Sequence, residues 1–196
     1  MASVFDEILV KGVRAGQIPA RTRAAREWFR GVASDVSSGR VTSGKMLSET
    51  NRLVDGPSVG SMYHFQYDPK HKATLPYYDR FPLIFMVGGA AGGFYGLNLH
   101  YLSPILRAKL MDQLYTLSTN RKYDENTRIA MSYSLLSKAS RFKYFKPTFK
   151  HYLSKHVRSR FIYITPAEWD IALMLPTQRF SKASASQVYR ESEAKI

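Results

Sequence analysis

The stretch from Leu83 to Tyr101 restricts the fold more than any other part of the chain. Leu83-Ile-Phe-Met-Val87 is an unbroken apolar run, Gly88-Gly-Ala-Ala-Gly-Gly93 follows it, and Phe94 to Tyr101 alternates. Five apolar residues are too few for an independent helix and suit a strand buried on both faces. In the alternating part Tyr95, Leu97, Leu99 and Tyr101 share one face, and Asn98 and His100 take the other. That is the period of two that a strand imposes. Two such strands across a glycine-rich connection form an antiparallel hairpin. The same glycines do not form a phosphate loop, which needs Gly-Lys-Ser/Thr at the start of a helix. Here the loop has no lysine and runs into a strand.

Other segments add to this hairpin. Met62 to Tyr67 reads as an aromatic strand ended by the turn Asp68-Pro69, and Leu75 to Pro82 as an irregular aromatic loop. Ser103-Pro104 caps a helix with the stripe Leu106, Leu110, Leu114 and Leu117. Asp124 caps a second helix with Ile129, Tyr133 and Leu136 inward. Pro147 opens a third, with Phe149, Tyr152, Leu153 and His156 on one side. The chain returns to β at Arg160 to Ile164. Thr165-Pro-Ala-Glu168 then forms a capping box before the short apolar element Trp169 to Leu175. Upstream, Phe5 to Val13 and Ala20 to Val36 are helical in pattern, and Ser37 to Gly60 reads as an extended, polar linker.

The expected organisation is an arm and linker over 1–60, a core domain over 61–180 with a helical segment at 103–158, and a tail over 181–196. The fold class is α+β: a small antiparallel β core with a helical insertion and an extended N-terminal arm. An SH3-like or related barrel interrupted by helices satisfies this order.

The formal net charge is +14, and it is unevenly placed. Residues 1–60 carry +3, 61–120 carry +2, 121–160 carry +9 and 161–196 carry none. From Lys138 to Arg160 there are eight basic residues and no acid: Lys138, Arg141, Lys143, Lys146, Lys150, Lys155, Arg158 and Arg160. They alternate with Phe142, Tyr144, Phe145, Phe149 and Tyr152. Cations in such a run neutralise phosphates without reading sequence, and exposed aromatics stack on bases. The plainer reading makes the aromatics core and the cations an outer face directed at an acidic protein neighbour.

Little in the sequence points to catalysis. The chain has no cysteine, which removes disulfides, thiolate metal sites and thiol nucleophiles. His64, His71, His100, His151 and His156 show no metal-ligand spacing, so no cofactor and no metal is expected. A metal-dependent nuclease built from Asp68, Asp79, Glu168 and Asp170 is a remote alternative. Turns and a helix cap account for three of those acids equally well. The longest apolar run, Pro82 to Ala91, is too short to span a bilayer, so no membrane partner is expected.

Three runs carry a family resemblance. They are Gly60-Ser-Met-Tyr-His-Phe-Gln-Tyr-Asp-Pro-Lys70, Leu75-Pro-Tyr-Tyr-Asp-Arg-Phe-Pro-Leu83 and Gly93-Phe-Tyr-Gly-Leu-Asn-Leu-His-Tyr-Leu102. Phe145-Lys-Pro147, Tyr152-Leu153, Arg158-Ser-Arg160, Glu168-Trp-Asp170 and Leu175-Pro176 add to them. Over roughly residues 55–190 the chain resembles a virion protein family of T-even-like tailed phages, marine and cyanobacterial myoviruses among them, described as DNA end protectors. The resemblance implies a non-enzymatic structural protein of the virion, assembled in the host cytoplasm. It would bind the end of the packaged genome near the head–tail joint and shield it from exonuclease. Expected partners are DNA and portal, neck, tail or baseplate proteins in a symmetric assembly. A baseplate, tail or neck module with protein partners only is the alternative. No residue-level motif comes with the resemblance.

Overall fold

Helix caps fix where the N-terminal elements begin. The computed structural model describes residues 3–19, 21–118 and 144–196. Helix α1 (Val4–Arg14) starts at a capping box in which Ser3 Oγ accepts from the Asp6 amide and Asp6 accepts from the Ser3 amide. Helix α2 (Arg23–Ser34) is capped by Thr22, whose Oγ1 accepts from the Ala25 amide. The two helices pack closely because residue 12 is glycine: a Cβ there would lie 2.2 Å from Phe29 Cζ.

The stretch expected as an open linker is ordered in several pieces. It contains helix α3 (Ser43–Leu47), a 3₁₀ turn at Thr50–Arg52 and strand β1 (Leu53–Val54). Val41 and Met46 are buried in the same cluster as Phe5, Ile8, Phe29 and Ala33. A few apolar side chains at the right places suffice, since each fully buried one contributes about 1.5–3 kcal/mol.

Strands β2 (Met62–His64), β3 (Tyr78–Asp79), β4 (Leu83–Ala90) and β5 (Gly93–Asn98) follow. The β4–β5 hairpin is present, with Ile84 opposite Asn98 and Ala90 opposite Gly93. After helix α4 (Pro104–Ser118), the described chain resumes in a one-turn helix α5 (Phe145–Thr148) and strand β6 (Phe149–Leu153). Strand β7 (Phe161–Ile164), helix α6 (Trp169–Met174), strand β8 (Phe180–Ser181) and helix α7 (Ala185–Glu193) complete it. The capping box at Thr165 and Glu168 forms as the sequence predicts.

The main sheet is antiparallel with the order β1-β7-β2-β4-β5-β6, and β3 pairs with β8 in a second, two-stranded sheet. The larger sheet stays open, with β1 and β6 as edges, so the expected SH3-like barrel is not found; α+β is the class observed. Alternate residues serve two cores. Met62, Leu83, Phe85, Leu97, Ile162 and Ile164 pack with α1, α2 and α6. Tyr63, Phe65, Ile84, Met86, Phe94, Tyr152 and Phe161 form an aromatic cluster on the opposite face.

Two further expectations are corrected. No helix opens at Pro147: a single turn runs from Phe145 to Thr148, and Phe149 to Leu153 is a strand laid along β5. An unpaired β5 edge offers five residues of backbone pairing, and the β-branched-free run Phe-Lys-His-Tyr-Leu has enough aromatic character to accept it. The strand alternation expected through Tyr101 stops at Asn98. The chain leaves the strand at Asn98, whose Oδ1 accepts from the His100 amide at 3.0 Å, and a 3₁₀ turn at Leu99–Tyr101 breaks the alternation. Both side chains are buried. The second helix expected after Asp124 lies outside the described residues.

Candidate nucleic-acid interface

Of the eight cations singled out in the sequence, Lys138, Arg141 and Lys143 lie outside the described residues. The other five separate into three situations. Lys146, Lys155 and Arg158 are exposed around the β6 edge. Arg158 keeps only a long approach to Asp68, at 3.9 Å. Arg160 is committed to the fold: its Nε donates to Asp55 Oδ1 at 2.7 Å and its Nη2 to the Leu53 carbonyl at 3.0 Å, pinning β1. Lys150 turns inward from β6, opposite Gly96, and its Nζ stands 4.1 Å from the centroid of the Tyr101 ring. These cations therefore follow an edge strand and its turns, where a helix was expected.

Alternation along β6 sends its aromatics two ways. Tyr152 is buried among Phe65, Tyr67 and Phe94. Phe149 is 44% exposed and stacks on Tyr95 at 5.0 Å, with His151 tilted against the same ring at 5.1 Å. So the aromatics of this segment are partly core and partly available for contact. Phe142 lies outside the described residues.

Beside β6 there is a cleft of about 480 Å³. Tyr67, Tyr77, Tyr101 and Tyr152 line it together with Lys150 and Lys195. Burial first, and the nearby Lys195 second, pull the Lys150 ammonium down to about 8. Tyr152 belongs to the aromatics that alternate with the cations in the sequence; Tyr67, Tyr77, Tyr101 and Lys195 lie outside that segment. Residues 161–196 are neutral as a block, so counting charge by segment passes over Lys195.

The acids considered for a metal-dependent nuclease are not brought together, and the described residues contain no group of three or more potential metal ligands. Asp170 receives Arg30 Nε at 2.7 Å, and Glu168 pairs with Arg52 while accepting from Thr165. Asp79 Oδ2 meets His100 Nδ1 at 2.7 Å, and His100 Nε2 meets Thr177 Oγ1 at 3.0 Å. That chain resembles a nucleophile–base–acid triad in its connections. Yet Thr177 is 2% exposed and His100 fully buried, so no substrate reaches the hydroxyl. Its evident work is to tie β3, the 3₁₀ turn and the 177–179 segment together; the Arg179 amide also donates to Asp79.

This buried network sets a pH response. His64 stacks on Phe81 at 5.2 Å, and its ring is held neutral, its pKa pushed down to about 3 by burial and then by the neighbouring His100. Burial lowers His100 as well. The unfolded chain binds these protons below about pH 6.5 and the folded chain does not. Stability should therefore fall as pH drops from about 6.5 toward 3, with a slope approaching about 1.4 kcal/mol per pH unit from His64 and a further contribution of the same sign from His100. Urea midpoints taken from pH 7.5 to 4 check this; a flat profile would contradict it.

Lys146, Lys155 and Arg158 thus stand exposed around the β6 edge, near a tyrosine-lined cleft, while Asp79, Glu168 and Asp170 are tied into the fold. The comparison with known families makes the class specific. Residues 5–192 match the family described as Phage T4 terminal DNA protecting protein, and the chain belongs to that family. The match includes the N-terminal helices, beyond the roughly 55–190 covered by the sequence resemblance. The family is described as one that protects DNA termini. No curated protein and no solved structure matches the chain. Among the described residues no helix is long and apolar enough to cross a membrane.

Proposed function

We propose that this chain is a non-enzymatic component of a tailed-phage virion that binds the end of the packaged DNA at the head–tail joint and shields it from exonuclease. The observation that carries the reading is the exposed group Lys146, Lys155 and Arg158 around the β6 edge in a member of a DNA-terminus-protecting family. Three cations on one edge meet successive phosphates of a duplex backbone, and each contact releases counterions. Lys138, Arg141 and Lys143 extend the same basic segment in sequence and are assigned the same role. Portal or neck proteins are the natural neighbours at such a joint.

Exonuclease protection and binding of a blunt duplex, measured against salt, test the reading. Log affinity should fall linearly with log salt. Reversing Lys146, Lys155 and Arg158 to glutamate should reduce that slope by about three, roughly one per lost phosphate contact. Absence of duplex binding at low salt would overturn the reading.

A second reading has its own support. Val10, Val13 and Ile18 are 49%, 72% and 53% exposed on and just beyond α1. Apolar side chains in that density suit a protein neighbour. In a purely protein-facing assembly module, the same charge reversals block incorporation into particles and leave any DNA affinity unchanged.

A further inference from the structure

The cleft beside β6 has a composition that the edge cations do not explain. Lys150 enters it from a strand, Lys195 from the segment after α7, and five tyrosines line its walls. Among the described residues neither lysine has an ion-pair partner. The Tyr101 ring holds the Lys150 ammonium by a cation–π contact, which leaves its N–H donors free for an anion. Two ammonium groups close together repel each other, and an anion placed between them relieves the repulsion.

The acids nearby are already engaged. Asp79 is taken by His100 and Asn98, and Glu191 is engaged by Gln187, Tyr77 and Lys195. The opposite wall is fixed in place. Lys182 Nζ donates to the carbonyls of Lys72, Ala73 and Leu75 at 2.6, 2.9 and 3.0 Å, and Tyr67 Oη accepts from the Leu153 amide at 3.1 Å. His71 and Lys70 stand at its edge. The volume falls within the roughly 300–1,000 Å³ typical of small-ligand sites, which suits one nucleotide better than a continuous duplex.

We propose that this cleft receives the terminal nucleotide of a DNA strand, with its terminal phosphate between Lys150 and Lys195 and its base against the tyrosines. The proposal rests on the end-binding reading and adds what distinguishes an end from the middle of a duplex. A terminal phosphomonoester carries about −1.5 to −2 charges at pH 7, more than an internal diester. A pair of lysines without a carboxylate between them favours the more highly charged group. A depressed Lys150 ammonium is consistent with a site completed by an anion.

Full-length protein is titrated with two blunt duplexes of one sequence, one 5′-phosphorylated and one 5′-hydroxyl, and separately with thymidine 5′-monophosphate and thymidine. The phosphorylated duplex should bind about tenfold more tightly, the scale of a charge-assisted hydrogen-bond pair. Lys150→Met keeps the buried stem, and Lys195→Gln changes an exposed position; each should bring the two affinities together. Lys146→Gln, on the outer edge, should weaken both duplexes equally and preserve their ratio. Equal affinities in the unsubstituted protein, or a ratio that survives both cleft variants, would overturn the proposal while leaving end binding intact. If neither duplex binds, the end-binding reading falls and the mononucleotide decides. Saturable binding of thymidine monophosphate, not of thymidine, that disappears in Lys150→Met makes the cleft a site for free nucleotide. No binding overturns the cleft as well.

Discussion

Arg52→Ala should cost about 3–5 kcal/mol, the range observed when one partner of a buried ion pair is removed. Arg52 is the point at which helix α1, the 3₁₀ turn and the α6 cap meet. Its Nη1 pairs with Glu168 Oε1, its Nε with Glu49 Oε2 at 2.7 Å, and its Nη2 with Ser3 Oγ at 3.2 Å and Asp6 Oδ1 at 3.3 Å. The guanidinium also lies 5.0 Å from the Phe5 ring centroid. Glu168 is 2% exposed, so without arginine a carboxylate stays buried with only Thr165 for company. Burial already raises the Glu49 carboxyl, and losing the guanidinium removes what opposes that rise. At about 2–4 °C per kcal/mol for a chain of this size, the melting temperature should drop by roughly 10 °C. The double variant Arg52→Met, Glu168→Leu is the control: with no charge left unpaired, it should recover most of the loss. Urea denaturation of the three proteins measures this. A loss below about 1 kcal/mol for Arg52→Ala would mean that Glu168 finds water or another partner, and that the 3₁₀ turn is not held as described.

This junction also shows where sequence reading stops. Thr165-Pro-Ala-Glu168 is a local signal and was legible, because a capping box closes within four residues. The partner of Glu168 was not, since Arg52 lies 116 residues away in a stretch whose composition resembles a linker. The same division recurs elsewhere. The Leu83–Tyr101 hairpin was legible through its glycines and its period, and α2 through the helical pattern of Ala20 to Val36. The burial of Asn98 and His100 depends on a 3₁₀ turn that no periodicity marks. Whether Phe149 to Leu153 becomes helix or strand depends on what β5 offers as a neighbour. For the site, local charge counting found the edge cations. It could not find the cleft, which needs Lys150 from β6, Tyr77 and Tyr101 from two loops and Lys195 from a neutral tail.

Gly93→Ala should detach that edge. Residue 93 pairs with Leu153, and a Cβ there would stand 1.8 Å from the Tyr152 carbonyl oxygen and 2.8 Å from its carbon. Those atoms are backbone, so no rotamer change relieves the overlap; β6 must move away from β5. The cost should reach at least about 3 kcal/mol, the upper end of ordinary overpacking. Gly89→Ala is the matched control on the paired strand β4, because its added Cβ meets nothing within 4 Å; its effect should stay within about 0.5 kcal/mol. The damage should also be local in its first expression. Amides from Phe149 to Leu153 should lose hydrogen-exchange protection before those of β2, β4 and β7, as an edge strand opens ahead of the interior of a sheet. Tyr152 would then leave the aromatic cluster, where it packs against Phe65, Tyr67 and Phe94. Lys150 would leave its place over Tyr101, so discrimination between phosphorylated and hydroxyl duplex ends should vanish in Gly93→Ala and persist in Gly89→Ala. If the two alanine variants prove equally stable and equally protected, the β5–β6 pairing is looser than the register implies, and Lys150 is not fixed by it.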